Sequence, residues 1–575
     1  MKCIYVLGVI LTLFSSGMAL EREAFTITSY DLNLHLDPQQ QRLGVRGQIT
    51  LRNDSAQPQR VVALQISSSL NWRSIRFVRN TEPQMSADSP DFGQSVQFIR
   101  QPFTSDIDHT GELSEAIVTL PSEVASRNSV VLAISYEGVI LLDATRLTRV
   151  GTPERVARHS DWDQIGKTFT AVRGVGYVTW YPVAMESQNL SEGTAMFAAL
   201  GKWKARHANS KMALHVELVT NAPDTPRLLV NGKNCAASED TSNGFAVLNG
   251  CAFDHVGWQN PTLVVGNFQE TIAGPVRIHS AAEDDSVARE FAKNEERVAY
   301  MNQDWFGAPK HNLDVIDLAD PEAAPFEAGS WLLLPLAKHN PSVEQTLLVH
   351  QFTHVSLESP RLWIYEGTAH FAQALAAEKD GRDAALESLA PHRDAVMQSE
   401  KQPGEALFEA TEEVVYRSKA ALVWWMLRDM VGDAALKRVF HAYRAEDDQS
   451  PDYLLHLIAT ESKRDLGWFF HDWIDTDAGL PNLQINSANA RHTTGTNFVT
   501  AVTVANSGNA GVEVPVTIHT LAGDFTQRLE VRGKASAVTR IATPAEPVEV
   551  VVNDGSVPEA AASGHRLKIG NDGEK

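Results

Sequence analysis

The feature that most constrains the fold of this chain is a change of hydrophobic period along its length. From residue 25 to about 270 apolar and polar residues alternate; in FTITSYDLNLHLD every second residue from Tyr30 to Leu36 is apolar. A period of two is typical of strands with one buried face. From 276 to about 475 the spacing is that of amphipathic helices, and from about 484 the strand pattern returns. The sequence therefore predicts a β region, a mostly helical region and a second β region.

We expect these regions to be separate domains of a multidomain α+β protein. The expected boundaries are 22–272 for the N-terminal all-β domain, 273–482 for the central domain and 483–565 for the C-terminal domain. A chain of 575 residues is long enough to bury several independent cores. The polar tail that starts at Ser556 is expected to fray.

The first 19 residues have the pattern of a secretory signal peptide. Lys2 is followed by a short apolar run, and small residues lead up to Ala19. The alternative is a membrane anchor, but the run is short for a bilayer span. No later segment is long and apolar enough to span a membrane, so we expect an exported protein, periplasmic or extracellular, without a membrane span.

Export gives meaning to the cysteines. Cys235 and Cys251 remain after cleavage of the signal, with fifteen residues between them in a stretch rich in Gly and Asn. A disulfide between them is expected in an oxidising compartment. The alternative is a pair of free buried thiols.

The charge balance limits the partners. Lys and Arg number 50 against 71 Asp and Glu, which gives a net charge of −21. Nucleic acids and anionic membranes are bound by basic patches, so neither is expected as a partner.

The segment VHQFTH contains two histidines four residues apart. On a helix this spacing places His350 and His354 on one face, as in the H-E-x-x-H pattern of zinc peptidases. Gln351 stands where that pattern has Glu. Taken alone, the pair could equally be two ordinary core or surface histidines.

A carboxylate follows at a suitable place. Glu366 lies at the start of the next predicted helix, with eleven residues between it and His354. Two histidines and one glutamate, with a fourth position left for water, form the ligand set of catalytic zinc. A glutamate there could instead interact only with the helix dipole.

Longer segments resemble one family. WIYEGTAHFAQAL, APFEA (324–328) and VVYRSKAALVWWMLRD are similar, in that order, to segments of the zinc aminopeptidases related to membrane alanyl aminopeptidase and leukotriene A hydrolase. The resemblance covers most of the mature chain. It implies a thermolysin-like central domain, a small C-terminal β-sandwich, one Zn²⁺ and a peptide or protein substrate with a free N-terminus.

The resemblance also implies roles for single residues. Glu327 would hold the free amine of the substrate, and Tyr416 would donate to the oxyanion of the scissile carbonyl. His370, four residues after Glu366, would orient a metal ligand rather than bind the metal itself. The chain departs from the family in a shorter gap before Glu366 and in the residues that flank Glu327.

The largest departure is Gln351. A neutral amide can orient a water molecule but cannot take its proton, so we expect strongly reduced hydrolysis with metal binding unaffected. Glu358 would be a substitute base if the helix continued that far, although Pro360 is expected to end the helix and leave Glu358 in solvent.

Three functions remain open at this point. The first is an exported zinc aminopeptidase with impaired catalysis, and the second is a zinc-binding pseudopeptidase that captures peptide ends. The third is a structural exported protein whose metal only stabilises the fold. The joint presence of His350, His354, Glu366, Glu327 and Tyr416 argues against this third function.

Overall fold

The computed structural model describes most of the chain. The described residues are 20–78, 93–104, 112–149, 151–174, 178–186, 195–220, 226–231, 233–238, 246–280, 285–336, 341–399, 404–493, 497–561 and 564–569. The expected signal peptide, 1–19, lies outside them.

The N-terminal region is built mainly from strands, with three helices between them. The strands are β1 (Phe25–Asp37), β2 (Arg42–Asn53), β3 (Gln59–Ser67), β4 (Leu70–Val78), β5 (Gln94–Ser95), β6 (Phe98–Thr104), β7 (Glu112–Val124), β8 (Ser129–Val139), β9 (Phe169–Val172), β10 (Lys211–Val219), β11 (Arg227–Val230), β12 (Lys233–Asn234), β13 (Ala236–Ser238), β14 (Ala246–Phe253), β15 (Leu263–Gly266), β16 (Gln269–Ala273) and β17 (Val276–Ser280). The helices are α1 (Thr145–Arg149), α2 (Glu154–Ser160) and α3 (Ala195–His207).

Most of these strands form a large mixed sheet and smaller sheets, whereas β16 and β17 join the sheet of the middle region. In the described ranges the large sheet has the order β13-β14-β10-β1-β2-β8-β4-β5, and β1 pairs in parallel with β10. The alternation read in β1 is confirmed, because Tyr30, Leu32, Leu34 and Leu36 are all buried. Their side chains point to one face, which packs onto the smaller β3-β7-β6 sheet and the segment around Trp180.

The middle region is mostly helical. Its helices are α4 (Asp285–Phe306), α5 (Pro341–Ser356), α6 (Leu362–Ala377), α7 (Arg382–Ser399), α8 (Ala420–Val431), α9 (Asp433–Ala442), α10 (Tyr453–Ser462) and α11 (Gly467–Phe470), with π-helical turns at Val414–Lys419 and His471–Asp475. Three further strands are β18 (Leu313–Asp317), β19 (Phe326–Ala328) and β20 (Trp331–Leu334).

One sheet and three helices position the centre of this region. Within the described residues the sheet order is β16-β17-β18-β20-β19, so β19 lies at an edge, antiparallel to β20. The neighbouring α4, α5 and α6 bury apolar side chains that include Phe291, Phe352 and Phe371. Phe352 lies between the two histidines of α5 in sequence and faces this core, which turns the histidines away from it.

The C-terminal region consists of strands β21 (Leu483–His492), β22 (Phe498–Asn506), β23 (Val512–Thr520), β24 (Gly523–Val531), β25 (Ala535–Thr543), β26 (Pro547–Val552) and β27 (Arg566–Lys568). They form two sheets, β21-β22-β25 and β24-β23-β26-β27. Their buried side chains are continuous with those of the helical region, so the two regions share a core. The chain is thus an α+β protein with β-rich ends and a helical middle.

The expectation of a fraying tail is wrong for the described residues after Ser556. Ser556 and Val557 are buried, and a carboxylate oxygen of Glu559 accepts a hydrogen bond from the backbone N–H of Leu483 at 2.9 Å. Strand β27 pairs with β26. The polar composition of the tail suggested disorder, but these long-range hydrogen bonds order it.

Two expectations about the N-terminal region and export can be compared with the structure. Cys235 and Cys251 are joined by a disulfide, with their Cα atoms 5.0 Å apart. Among the described residues no helix is both long enough and apolar enough to cross a membrane.

Candidate metal and peptide site

Helix α5 brings the two histidines together. Both side chains are buried, and Nε2 of His354 lies 2.9 Å from Nε2 of His350. The rings are nearly perpendicular, at 83°. On its other side, the His354 ring stacks on Tyr365 at 3.8 Å between centroids. The stacked ring fixes the orientation of His354 toward His350.

Helix α6 supplies the carboxylate. Oε2 of Glu366 lies 3.6 Å from Nε2 of His350 and 3.9 Å from Nε2 of His354. The helix starts after Arg361, whose backbone N–H donates to the Ser359 hydroxyl at 3.0 Å. The start of α6 therefore places Glu366 in its second turn, against α5.

A second carboxylate reaches the same point from the edge strand. Oε2 of Glu327, on β19, lies 3.3 Å from Nε2 of His350. Two imidazole nitrogens and two carboxylate oxygens thus converge within a few ångströms. All four atoms can present lone pairs, so the arrangement requires a proton or a metal cation between them. Two histidines and a glutamate are a donor set that zinc prefers, and the cluster fits that metal.

The two histidines differ in their electrostatics: although burial opposes it, the carboxylates of Glu327 and Glu366 raise the pKa of His350. Burial lowers the pKa of His354 to about 3, helped by positive charge on His350 and Lys204, so its ring is neutral at pH 7, as a metal ligand must be. Although burial opposes it, contact with His350 and His354 holds the pKa of Glu366 below its usual value. Burial and the charge of Glu366 raise the pKa of Glu327.

Gln351 is fully buried next to Glu327. In one orientation of its carboxamide the nitrogen faces Glu327, but the oxygen then lies against two backbone carbonyls. In the other orientation the nitrogen donates to the carbonyl oxygens of Gly329 at 2.5 Å and Trp331 at 3.2 Å. Carbonyl oxygens cannot donate, so we assign the second orientation. The surroundings of residue 351 therefore favour a hydrogen-bond donor.

His370 lies in the same cluster. One of its ring nitrogens, a donor nitrogen of His350 and a carboxylate oxygen of Glu366 all lie within 4.8 Å of one another. Its ring centroid is 4.8 Å from that of His350 and 4.9 Å from that of His392, on α7. Burial, with positive charge on His350 and Arg417, keeps the pKa of His370 well below its usual value.

Tyr416 is buried in the π-helical turn that precedes α8. Burial raises its pKa, and the negative charge of Glu366 raises it further, so the hydroxyl is protonated at neutral pH and lies within electrostatic reach of the cluster. Arg417, the next residue, forms an ion pair with Glu413, and its positive charge partly opposes the rise in the pKa of Glu327.

Helix α3 of the N-terminal region also approaches the site, which the sequence did not indicate. A Cβ at Gly201 would lie 1.9 Å from the carbonyl oxygen of Thr411 and 3.3 Å from Cε1 of Tyr416, so this close contact requires glycine. One turn later, the positive charge of Lys204 lowers the pKa values of His354 and Glu366. Nothing in the local sequence of α3 marks it as part of a site, since the approach depends on how two regions pack.

Glu358 does not act with the cluster. Helix α5 ends at Ser356, and the Glu358 carboxylate accepts from Nε2 of His311 at 2.7 Å, with Lys310 at 3.9 Å. Its side chain is 47% exposed. Glu358 and His354 both line a cavity of about 1200 Å³ between the N-terminal and middle regions.

The structure thus brings together six of the residues singled out in the sequence and places Tyr416 nearby. The six are His350, Gln351, His354, Glu366, Glu327 and His370. Sequence reasoning missed Lys204, Arg417, His392 and Gln373. Gln373 could have been found from its spacing, because it follows His370 by three residues on a helix.

Comparisons with known proteins give one kind of match. No family model and no curated protein matches the chain. A solved structure of the M1 zinc metallopeptidase from Deinococcus radiodurans has 17% identity and a TM-score of 0.46, covering 79% of this chain and 94% of that chain. A mutant of it bound to a Tyr-Ser-Ala substrate has 18% identity and a TM-score of 0.45, with 79% and 94% covered. At this identity and TM-score the likeness carries no argument about function.

Proposed function

We propose that the protein is an exported zinc metallopeptidase of the aminopeptidase type, in which peptide hydrolysis is impaired. It would bind one zinc ion through His350, His354 and Glu366 and take peptides by their free N-terminus. Export is supported by the first 19 residues, which read as a signal peptide, and by the cysteine pair. The central region would be a thermolysin-like domain and the C-terminal strands a small β-sandwich.

The observation that carries the metal site is the approach of the two Nε2 atoms to 2.9 Å beside two carboxylates. Buried groups with this many lone pairs cost free energy unless a cation joins them. Zinc bound there would polarise a peptide carbonyl and lower the pKa of a bound water.

The other residues of the chain would act on the peptide. Glu327 offers a carboxylate to the cationic N-terminal amine, and the Tyr416 hydroxyl is protonated and can donate to a developing oxyanion. Gln351 cannot accept a proton from water, which is the reason for impaired hydrolysis. The cavity of about 1200 Å³ beside His354 is large enough for a short peptide.

A second function is favoured by the contacts of Gln351. Its amide donates hydrogen bonds to the carbonyl oxygens of Gly329 and Trp331. Gln351 therefore has a structural role of its own, in addition to being unable to act as a base. A zinc-binding pseudopeptidase that holds peptide ends without cutting them would keep the other groups of the site. It would bind peptides by their free N-terminus and release them unchanged.

Zinc content tests the shared part of both functions. We expect about one zinc per purified chain, and much less in His354→Ala. His35→Ala is the matched control, because His35 is exposed on β1 and pairs with Glu217. Equal zinc in wild type and His354→Ala would refute the ligand assignment.

Peptide chemistry then separates the two functions. Cleavage of amino-acid arylamides that is weak, zinc-dependent and lost in Glu327→Gln supports the impaired peptidase. Binding of a peptide without any cleavage supports the pseudopeptidase. Neither binding nor cleavage would contradict both.

A further inference from the structure

A fifth potential donor lies in the cluster, besides His350, His354, Glu366 and Glu327. His370 is one helical turn after Glu366 on α6, and a nitrogen of its ring is within 4.8 Å of donor atoms of His350 and Glu366. The sequence suggested that His370 only orients a ligand. In the structure it forms a donor group with His350 and Glu366, two of the three proposed metal ligands.

The hydrogen bonds around His370 fix its tautomer. Nε2 of Gln373 donates to the carbonyl oxygen of Thr346 on α5 at 3.2 Å. The other end of this amide, Oε1, therefore faces His370, whose Nδ1 lies 2.9 Å away. An amide oxygen can only accept, so Nδ1 of His370 carries the proton and Nε2 keeps its lone pair.

This arrangement is the usual one for a metal-binding histidine. Such histidines donate their outer N–H to an oxygen acceptor, which fixes the ring and makes the inner nitrogen available to the metal. Within the described residues, Nδ1 of His350 and Nδ1 of His354 have no such partner. Among the three histidines, His370 is thus the best prepared to bind metal.

The ordinary interpretation is a buried histidine satisfied by its neighbours. That interpretation accounts for the bond to Gln373, but it does not explain why a ring nitrogen of His370 lies within 4.8 Å of donor atoms of both His350 and Glu366. His392 gives the contrast, because its Nδ1 lies 2.9 Å from the Ser418 hydroxyl and its ring belongs to no donor cluster in the described part of the chain.

We propose that His370 is a fourth protein ligand of the metal, which closes the coordination sphere formed by His350, His354 and Glu366. The proposal rests on the zinc site proposed above. The donor atoms of His350, His354 and Glu366 lie 2.9 to 3.9 Å apart. Around tetrahedral zinc with bonds of about 2.0–2.1 Å, the ligand atoms lie about 3.3 Å from one another. A donor nitrogen of His370 lies within 4.8 Å of donor atoms of His350 and Glu366, so it would have to approach them by up to about 1.5 Å to join the sphere.

A closed sphere has a functional consequence. Zinc with four protein ligands is the structural type, whereas catalytic zinc keeps a position for water. With that position filled, a general base at residue 351 would have no metal-bound water to act on. Four protein ligands would therefore make a glutamate at residue 351 unnecessary. The metal would then serve to organise a binding site.

The coordination number can be measured without any activity. X-ray absorption of the zinc-loaded wild-type protein counts the imidazole ligands, and we expect three. Cobalt(II) in place of zinc provides a second readout, because four-coordinate cobalt absorbs visible light several-fold more strongly than five- or six-coordinate cobalt. We expect the strong, four-coordinate spectrum in the wild type.

Two variants separate a ligand from a group that orients one. His370→Ala should weaken cobalt binding by more than about 100-fold and reduce the absorption as water enters the sphere. Gln373→Ala, the matched control, removes only the outer hydrogen bond; we expect a loss of about 10–100-fold with the spectrum unchanged.

Each outcome separates the inference from the function on which it rests. A wild-type protein that binds neither zinc nor cobalt would overturn the proposed metal function. Bound zinc with two imidazoles, or a His370→Ala spectrum identical to the wild type, would leave the metal site standing and overturn the fourth ligand. The imidazole count needs no variant, so it decides even if His370→Ala fails to fold.

Discussion

Restoring hydrolysis should require two substitutions together. Gln351→Glu supplies a carboxylate that can accept a proton, and His370→Ala frees a metal position for water. If the sphere is closed, Gln351→Glu alone has no metal-bound water to deprotonate, and His370→Ala alone has water but no base. We therefore expect a large gain in arylamide cleavage over the wild type only in the double variant.

In the double variant, Gln351→Glu should raise the catalytic rate and lower the stability of the fold. A general base contributes about 10²–10⁴-fold to the rate, and 10²-fold corresponds to about 2.7 kcal/mol of barrier. Gln351→Glu also removes two hydrogen bonds from the amide to the carbonyls of Gly329 and Trp331, and it places a carboxylate beside their oxygens. Each unsatisfied buried acceptor costs about 1–3 kcal/mol, so we expect a loss of about 2–6 kcal/mol in stability.

The assay compares rates per zinc-loaded, folded molecule. Wild type, both single variants and the double variant are measured on amino-acid arylamides, with zinc content and thermal unfolding recorded for each. Gln351→Met is the control, since it loses the same hydrogen bonds without adding a carboxylate. It should be destabilised and inactive.

Two results would refute this reasoning. If Gln351→Glu alone gains about 10²-fold, water already has access to the metal and the sphere is open. If the wild type already cleaves at an ordinary, zinc-dependent rate that Gln351→Glu does not improve, another group takes the proton.

Two further predictions concern stability. Burial lowers the pKa of His207 to about 4. Below pH 6.5 the unfolded chain therefore takes up a proton that the folded chain does not. The free energy of unfolding should fall by up to about 3 kcal/mol between pH 6.5 and 4. The difference between the denaturant midpoints at pH 7 and 4.5 should become smaller in His207→Gln, and an unchanged difference would contradict this. Lys419 and Asp477 form an ion pair at 2.8 Å with both side chains 5% exposed, so Asp477→Asn should cost about 3–5 kcal/mol. Lys419→Met with Asp477→Leu should be less costly in the same denaturation experiment, and an equal loss would mean that the pair has little role.

The parts of the structure that could be predicted from sequence depend on local periodicity. The alternation in β1 and the helical spacing around His350 and His354 are set by neighbours along the chain, and both are found in the structure. Glu366 followed from its place in the next helix. A helix of known length and start carries its side chains in a known direction, so a short gap between two helices is enough to bring their ligands together.

The parts that could not be predicted depend on contacts between distant segments. The approach of α3 with Lys204, the partners of Gln351 on β20 and its preceding turn, and the ordering of the tail by Leu483 arise only when separate regions pack. None of them leaves a periodic or spaced pattern in the local sequence.

Gln351 shows how much depends on such contacts. From the sequence alone, Gln351 only replaces a glutamate that would act as a general base. A simple replacement of this kind would leave surroundings that still suit a carboxylate. The structure places a hydrogen-bond donor at that position, facing the carbonyl oxygens of Gly329 and Trp331, and it places His370 with a fixed tautomer near the metal donors. Loss of a single group would have left the water position open. Two coordinated differences, one at the base and one at the proposed metal, are instead what we would expect of a site that holds zinc and peptide without activating water.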